Sequence, residues 1–175
     1  GANVVRIGFH PPHPFFIQLC DQYGLFVLEE IPNFEIPAAI GEEENYRALT
    51  VSYLKEMIKR DQYRPSVIAW GLGEGSGYLS DVENSVISQL HRTAKSMDDR
   101  LTYGISRGPD DKLNSIVDIA AINFSNIDAR SFRSRLEAFK DTNPKKPIIV
   151  AGYGKAAEKE NRNGYSDPNS QEAQA

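Results

Sequence analysis

The clearest candidate for chemistry is a single carboxylate in a glycine-rich loop near the middle of the chain. Glu74 lies between Gly73 and Gly75, directly after the apolar stretch at residues 67–72, and no other carboxylate follows before Asp81. A short apolar run of this kind is typical of a strand that is covered on both faces, as in a parallel sheet. Because parallel α/β folds hold their chemistry in the loops after such strands, Glu74 is the first predicted site residue.

Strands and helices alternate along the chain, which predicts a parallel sheet in an α/β fold. Apolar runs predict strands at residues 3–8, 25–28, 67–72, 101–105, 117–124 and 147–151. Helical spacing of apolar residues predicts helices at residues 13–23, 43–60, 81–97 and 129–140. Residues that mark one face of the first three helices are Phe15, Phe16 and Leu19, then Tyr46, Leu49, Tyr53, Leu54, Met57 and Ile58, then Val82, Val86, Ile87, Leu90 and Ala94. A flavodoxin-like doubly wound sheet is the alternative fold, although no phosphate-binding glycine loop follows the first strand.

Composition and charge limit the classes of function. The chain has 175 residues, of which 40% are hydrophobic and 25% charged, and its formal net charge is −4. This composition is globular, and without a basic stripe it argues against a nucleic-acid partner. No apolar stretch approaches the length of about 18 residues that a membrane span needs, and no signal peptide is visible. Cys20 is the only cysteine, and His10, His13 and His91 form no recognisable metal set, so neither a cofactor nor a metal is predicted.

The stretch that contains the apolar strand also carries a motif. Residues 60–73 read Arg-Asp-x-x-x-Pro-Ser-Val-Ile-x-Trp-x-Leu-Gly, which resembles the strand-four signature of glycoside hydrolase family 2, the β-galactosidase and β-glucuronidase family. In that family the signature continues with Asn-Glu-Ser, in which the Glu is the general acid/base and the Asn contacts substrate. Aligned without gaps, Glu74 stands at the Asn position and Gly75 at the position of the catalytic Glu.

Other segments extend the resemblance over nearly the whole chain. Residues 1–6 resemble the second barrel strand of the family, in which an Arg at the position of Arg6 braces the nucleophile. Gly-Phe-His-Pro at residues 8–11 replaces the usual Ser-His-Tyr-Pro. Residues 24–32 resemble strand three, and Glu30 within them falls on an acidic position that lines the family's pocket. Residues 117–124 are similar to strand six, in which an Asn followed by an aromatic residue, here Asn123 and Phe124, is usual.

The segment that resembles strand seven lacks its functional residue. In the family the nucleophilic Glu stands immediately before a Tyr, whereas here Gly152 precedes Tyr153. Retaining hydrolysis needs two carboxyl groups about 5–5.5 Å apart, and glycine supplies none. The resemblance therefore implies a barrel that has lost hydrolytic activity and acts as a carbohydrate-binding or scaffold module of a larger protein. The substrate-binding residues that it implies are Arg6, His10, Glu30, Glu74, Asn123 and Tyr153.

The resemblance also implies a fold. It predicts one incomplete domain over residues 1–175, of the (β/α)8 TIM-barrel type, with strands two to seven of the barrel. A complete barrel has eight strands and about 250 residues. We expect the remaining strands, and the β-sandwich domains usual in the family, to come from a longer parent chain or a partner subunit. The resemblance favours a periplasmic or secreted location over a cytoplasmic one.

Several alternatives stay open at the level of the sequence. One is an active retaining β-glycosidase whose carboxylates are displaced, with Glu74, re-aimed by a bulge in the glycine-rich loop, and Glu30 as the acids. Another is a purely structural interaction domain. Arg6 needs a partner in place of the missing nucleophile, and either Glu30 or Glu74 is suitable. Trp70 is more simply a core residue than a platform for a sugar.

Overall fold

The computed structural model describes residues 1–34, 36–74, 81–106, 108–125, 127–154 and 156–174. Its strands are β1 (Val4–Ile7), β2 (Phe26–Glu30), β3 (Val67–Glu74), β4 (Leu101–Ser106), β5 (Ile119–Asn123) and β6 (Ile148–Gly152). Its helices are α1 (Pro14–Tyr23), α2 (Ala38–Glu42), α3 (Glu44–Asp61), α4 (Asp81–Met97), α5 (Leu113–Ile116), α6 (Ala129–Thr142) and α7 (Gln171–Gln174). All the predicted strands and main helices are present, with small shifts at their ends.

The strands form one six-stranded parallel sheet in the order of the sequence, from β1 to β6. Within the described residues, β1 and β6 are its edges. The sheet is curled, because one interior cavity is lined by Val4 and Arg6 of β1 and also by Ile149 and Ala151 of β6. A curled parallel sheet with helices between its strands is an incomplete β/α barrel, which confirms the predicted fold class.

The two faces of the sheet carry different residues because side chains alternate along a strand. The inner face carries the cluster that includes Leu28, Ala69, Tyr103 and Ala121. The outer face packs against α1, α3 and α4 through the larger cluster that contains Trp70. Trp70 is fully buried there, and its ring nitrogen donates to Asp98 Oδ1 at 3.2 Å. The interpretation of Trp70 as a core residue is therefore confirmed.

The helices confirm some predicted faces and correct others. In α4, four of the apolar residues that were predicted to face inward are buried: Val86, Ile87, Leu90 and Ala94. The side chain of the fifth, Val82, lies outside the described part of the structure. The predicted faces of α1 and α3 are partly wrong. Phe15 and Phe16 are exposed, and α1 packs through Ile17 and Cys20 instead. In α3, Leu49 and Tyr53 are exposed, and the buried stripe is rotated to include Thr50 and Asp61.

Polar residues can occupy this buried stripe because each has a local partner. The Thr50 hydroxyl donates to the Tyr46 carbonyl one turn earlier at 2.8 Å, and Asp61 accepts from the guanidinium of Arg60 at 2.6 Å. Hydrophobic periodicity alone cannot detect a polar residue that has a local partner of this kind. The short helices α2 and α5 were also not predicted. No helix among the described residues is long and apolar enough to cross a membrane.

Candidate functional site

The predicted site residues lie at the carboxyl ends of the strands. Arg6, Glu30, Glu74 and Asn123 each stand at or next to the end of β1, β2, β3 and β5, and Gly152 ends β6. In a parallel sheet these ends share one edge, which in a barrel is the mouth. The structure joins the four side chains through two hydrogen-bonded pairs, Arg6 with Glu30 and Asn123 with Glu74, and an ion pair between Arg6 and Glu74 at 4.0 Å; we call this set the mouth network.

Arg6 and Glu30 form the centre of the mouth network. Arg6 Nε donates to Glu30 Oε2 at 3.1 Å, and Arg6 Nη2 lies 2.9 Å from Oε2 and 3.2 Å from Oε1. The Glu30 side chain is only 1% exposed. This bidentate pair supplies the partner for Arg6 that the sequence left open between two carboxylates.

Tyr103 completes the surroundings of Glu30, although the sequence did not single it out. Its hydroxyl donates to Glu30 Oε2 at 3.0 Å from β4, across the intervening strand β3. Burial raises the pKa of Glu30, against the lowering effects of Arg6 and of the Tyr103 hydrogen bond. Burial, and next the charge of Glu30, raise the pKa of Tyr103 well above its ordinary value. Both oxygens of Glu30 are thus already engaged inside the barrel.

The approach of Tyr103 to Glu30 depends on a glycine in the strand between them. A Cβ atom on Gly71 would lie 2.6 Å from the Tyr103 hydroxyl and 2.7 Å from Glu30 Cγ. Any other residue in β3 at this position would push the two side chains away. A glycine inside an apolar strand often marks such a close approach, and this was the signal in the sequence that could have predicted a partner for Glu30.

Glu74 is aimed into the mouth by a bend at the end of β3. Gly73 has a φ of +127°, and a Cβ there would lie 2.2 Å from the Asn33 carbonyl oxygen. The pairing with β4 shifts register between Gly71 and Glu74, so the strand has the irregularity that re-aims a side chain. Glu74 Oε1 accepts from Asn123 Nδ2 at 3.2 Å, and Oε2 lies 4.0 Å from Arg6 Nη2.

At the end of β6, two polar side chains lie close to Gly152 beside the mouth network. A Cβ atom on Gly152 would lie 2.1 Å from Asn123 Oδ1 and 2.7 Å from Ser125 Oγ. The Asn123 amide is held there at both ends, because Oδ1 accepts from the Ser125 backbone at 3.0 Å while Nδ2 binds Glu74. Asn123 therefore fills the volume beside Gly152. Gly75, the other predicted catalytic position, lies outside the described residues.

The remaining predicted residues lie outside the mouth network. His10 is exposed in the loop after β1. Tyr153 is 77% exposed at the mouth, and its ring packs edge-on against Phe132 with centroids 5.3 Å apart. His13 accepts from the Phe15 backbone at the start of α1, and His91 Nδ1 lies 2.8 Å from Thr102 Oγ1 near the opposite end of β4. Among the described residues, no three metal-ligating side chains converge on one point.

Comparison with known proteins identifies the family of this fold. The family described as "Glycosyl hydrolases family 2, TIM barrel domain" matches residues 1–172. The chain belongs to glycoside hydrolase family 2. That β3 is the fourth strand of the family barrel and β6 the seventh stays a prediction of the sequence motifs.

Relatives of this family 2 domain include β-galactosidases. The chain is 36% identical over 81 residues to a β-galactosidase of Enterobacter cloacae and 37% identical over 83 residues to one of Photobacterium profundum. These matches cover 43% and 45% of this chain but only 8% of each relative. The chain thus spans a small part of the length of the curated relatives that it matches.

Solved structures agree on the fold. A family 2 β-galacturonidase from Eisenbergiella tayi, solved with galacturonate, superposes with a TM-score of 0.90 at 20% identity, covering 99% of this chain and 33% of that one. A β-glucuronidase 2 from Bacteroides uniformis, bound covalently to a cyclophellitol carboxylate aziridine, gives a TM-score of 0.81 at 25% identity over 90% of this chain and 21% of that one.

Proposed function

We propose that this family 2 barrel domain binds carbohydrate, or serves as a scaffold, within a larger protein and does not hydrolyse glycosides. The observation that carries the proposal is the end of β6. Gly152 stands where the family motif has its nucleophile, and the Asn123 amide occupies the volume that a side chain there needs. The position therefore lacks a carboxylate, and the side-chain ends of Asn123 and Ser125 would have to shift to admit one.

The chemistry of retaining hydrolysis supports this proposal. One carboxylate must attack the anomeric carbon and a second carboxyl group must protonate the leaving oxygen. The motif at β3 has glycine at its acid position, Gly75, as the motif at β6 has at its nucleophile position. Without either participant, both covalent and acid catalysis are lost.

Carbohydrate binding is the function that the remaining polar groups suit. Arg6, Glu74 and Asn123 lie at the mouth with charged and amide groups that can hydrogen-bond to sugar hydroxyls. Tyr153 offers an exposed ring at the same mouth, and His10 lies in a neighbouring loop. The family relatives named above act on, or were solved with, sugars and sugar analogues, which favours a pyranose as the ligand.

The second candidate function is hydrolysis by displaced carboxylates, with Glu74 and Glu30 as the acids. It is favoured by the bend at Gly73 that aims Glu74 into the mouth and by the raised pKa of Glu30. Two contacts weigh against it. Both oxygens of Glu30 are held by Arg6 and Tyr103, and Arg6 Nη2 contacts both carboxylates, so a guanidinium rather than a glycosidic bond lies between them.

The partner of this domain is inferred from the two edges that its sheet has within the described residues. The edge strands β1 and β6 line one cavity, and unpaired edges in a parallel sheet favour pairing with further strands. We propose that strands and β-sandwich domains of a longer parent chain, or of a partner subunit, complete the barrel. A periplasmic or secreted location stays a prediction of the family resemblance.

Two measurements on the intact protein test the proposed function. With p-nitrophenyl β-galactoside and β-glucuronide, we expect no product above the buffer rate. With the methyl glycosides, isothermal titration should detect weak binding that Glu74→Gln or Asn123→Ala reduces. Turnover at an enzyme-like rate that Glu74→Gln abolishes would establish the second candidate instead. No turnover and no binding would leave a purely structural domain.

Restoring the two lost positions separates the candidates further. Gly75→Glu with Gly152→Glu should barely change the rate if displaced carboxylates already act. Under our proposal this double variant can gain activity, and the Asn123 and Ser125 side chains must shift to admit the new side chain at position 152. The triple variant with Asn123→Gly, compared with the double variant, checks this point.

A further inference from the structure

A pair of phenylalanine rings lies at the mouth beside Arg6, outside the residues assigned so far. The rings of Phe9 and Phe34 have centroids 4.3 Å apart and planes inclined at 55°. Phe9 is 43% exposed and Phe34 is 36% exposed. A ring pair that only stabilised the core would be buried, so this pair presents an apolar surface where the strands end.

The backbone holds both rings in place. Phe9 has a φ of +71°, a left-handed conformation that is unfavourable for a side chain of this size. Phe34 forms a parallel bridge with Glu74, the last residue of β3. The preceding Asn33 fixes this segment, because its amide donates to the Leu72 carbonyl at 2.7 Å and accepts from the Tyr46 hydroxyl at 2.7 Å.

Strained residues occur where the surrounding structure requires a particular orientation, and they concentrate at ligand sites. At Phe9 the strain maintains an aromatic ring that is nearly half exposed, beside a polar network. The Arg6 guanidinium carbon lies 5.7 Å from the centre of the Phe9 ring, and the same guanidinium contacts Glu30 and Glu74. An apolar surface thus borders directly on groups that donate and accept hydrogen bonds.

We propose that Phe9 and Phe34 form a stacking platform for the apolar face of a pyranose, whose hydroxyl groups reach Arg6 and Glu74. A pyranose has both features that the surface requires, a face of C–H groups and an edge of hydroxyls. This inference rests on the proposed carbohydrate-binding function and names residues by which the mouth binds. Stacking requires no carboxylate, so the platform functions without the two lost catalytic groups.

The test is saturation-transfer NMR and isothermal titration of the intact protein with methyl β-D-galactopyranoside. We expect saturation to be strongest at the protons of one sugar face, and affinity to fall about tenfold in both Phe9→Gly and Phe34→Ala. Phe9→Gly removes the ring and also relieves the left-handed strain, so it should melt at a higher temperature than Phe9→Ala. Tyr63→Ala is the matched control, because Tyr63 is an aromatic residue that is 87% exposed before β3, at the opposite end of the strands.

The outcomes distinguish this inference from the function on which it rests. Wild-type binding that Phe9→Gly and Phe34→Ala leave unchanged overturns the platform while carbohydrate binding stands. No binding by the wild type overturns both. Loss of binding in Tyr63→Ala to the same extent shows a general effect of removing aromatic rings and contradicts the platform. Loss in the two mouth variants alone, with Phe9→Gly still folded, supports it.

Discussion

Two neighbouring carboxylates on β2 differ in how they are hydrogen-bonded on the two faces of the sheet. Glu30 faces the mouth, where Arg6 binds it in two places and Tyr103 adds a third donor. Glu29 faces the helices, where Arg60 Nη2 donates to its Oε1 at 2.9 Å and Asp61 lies close by. Both are fully buried. The inner carboxylate is completely hydrogen-bonded, and the outer one is not.

Two of the four oxygens in the outer pair, Glu29 and Asp61, lack a donor. Glu29 Oε2 and Asp61 Oδ1 are buried without a hydrogen-bond partner when both groups are ionised. A proton on Glu29 supplies the missing donor, since a protonated carboxyl can donate to its neighbour. Burial first, and then the charge of Asp61, raise the pKa of Glu29 to about 8, against the lowering effect of Arg60. The mouth holds its buried carboxylate with an arginine and a tyrosine hydroxyl, whereas the outer face holds its acid pair with Arg60 and a proton.

The largest expected effect comes from removing the arginine on each face. Arg6→Met leaves Glu30 buried without its charge partner, and we expect a loss of about 3–5 kcal/mol in unfolding free energy. Arg60→Met should lose less than half of that at pH 7, because a neutral Glu29 can donate to Asp61. Urea denaturation measures both variants, and Arg6→Met with Glu30→Gln should recover much of the loss. Equal losses in the two single variants would contradict the difference between the faces.

The next prediction concerns pH. The pKa of Glu29 is about 8 in the folded protein and near 4.5 when unfolded, so the folded state binds the additional proton between these values. Stability from this group is therefore complete below about pH 4.5 and is lost as the pH rises toward about 8. We expect Glu29→Gln to be more stable than the wild type at pH 8.5, by about 2 kcal/mol or more, and similar to it at pH 5. Parallel stability curves for the two proteins would disprove the shared proton.

Most of the fold could be predicted from the sequence because its signals are local. The strand at β3 follows Pro65, its apolar run is continuous, and the helix before it is long. The faces of α1 and α3 could not be predicted as well, because Thr50 and Asp61 occupy inward positions through partners that hydrophobicity does not reveal. Side chains alternate along a strand, so a strand that extends to residue 30 places Glu29 and Glu30 on opposite faces of the sheet.

The site was predicted only in part because its decisive contacts join distant strands. The motifs identified Arg6 and Glu30 as candidates, but the hydrogen bond from Tyr103 spans 73 residues of sequence. The Asn123 amide beside Gly152 is likewise a matter of packing, which no motif specifies. Tyr103 in an apolar strand has the sequence pattern of an ordinary core residue. The glycine opposite it, Gly71, was the one local sign of a close contact.

A smaller effect tests how tightly each face is packed. Gly71→Ala adds a methyl group 2.6 Å from the Tyr103 ring on the inner face, whereas Gly104→Ala adds one 3.0 Å from a terminal methyl of Leu113 on the outer face. We expect Gly71→Ala to lose about 1–3 kcal/mol, which is typical of overpacking, and Gly104→Ala to lose less. Thermal denaturation compares them. Tyr103→Leu should restore part of the Gly71→Ala loss, and its failure to do so would show that the contact with Tyr103 is not the cause.

The smallest expected effect isolates the third donor to Glu30. Tyr103→Phe keeps the ring and removes only the hydroxyl, so the expected loss is about 1 kcal/mol. The hydrogen bond from Tyr103 lowers the pKa of Glu30, so its removal raises that pKa further. The loss should therefore be greater at pH 8, where Glu30 is more fully ionised, than at pH 5. A loss that does not vary with pH would mean that the Tyr103 hydroxyl stabilises the fold by packing alone. In that case Arg6, and not Tyr103, stabilises the charge of Glu30 at the mouth.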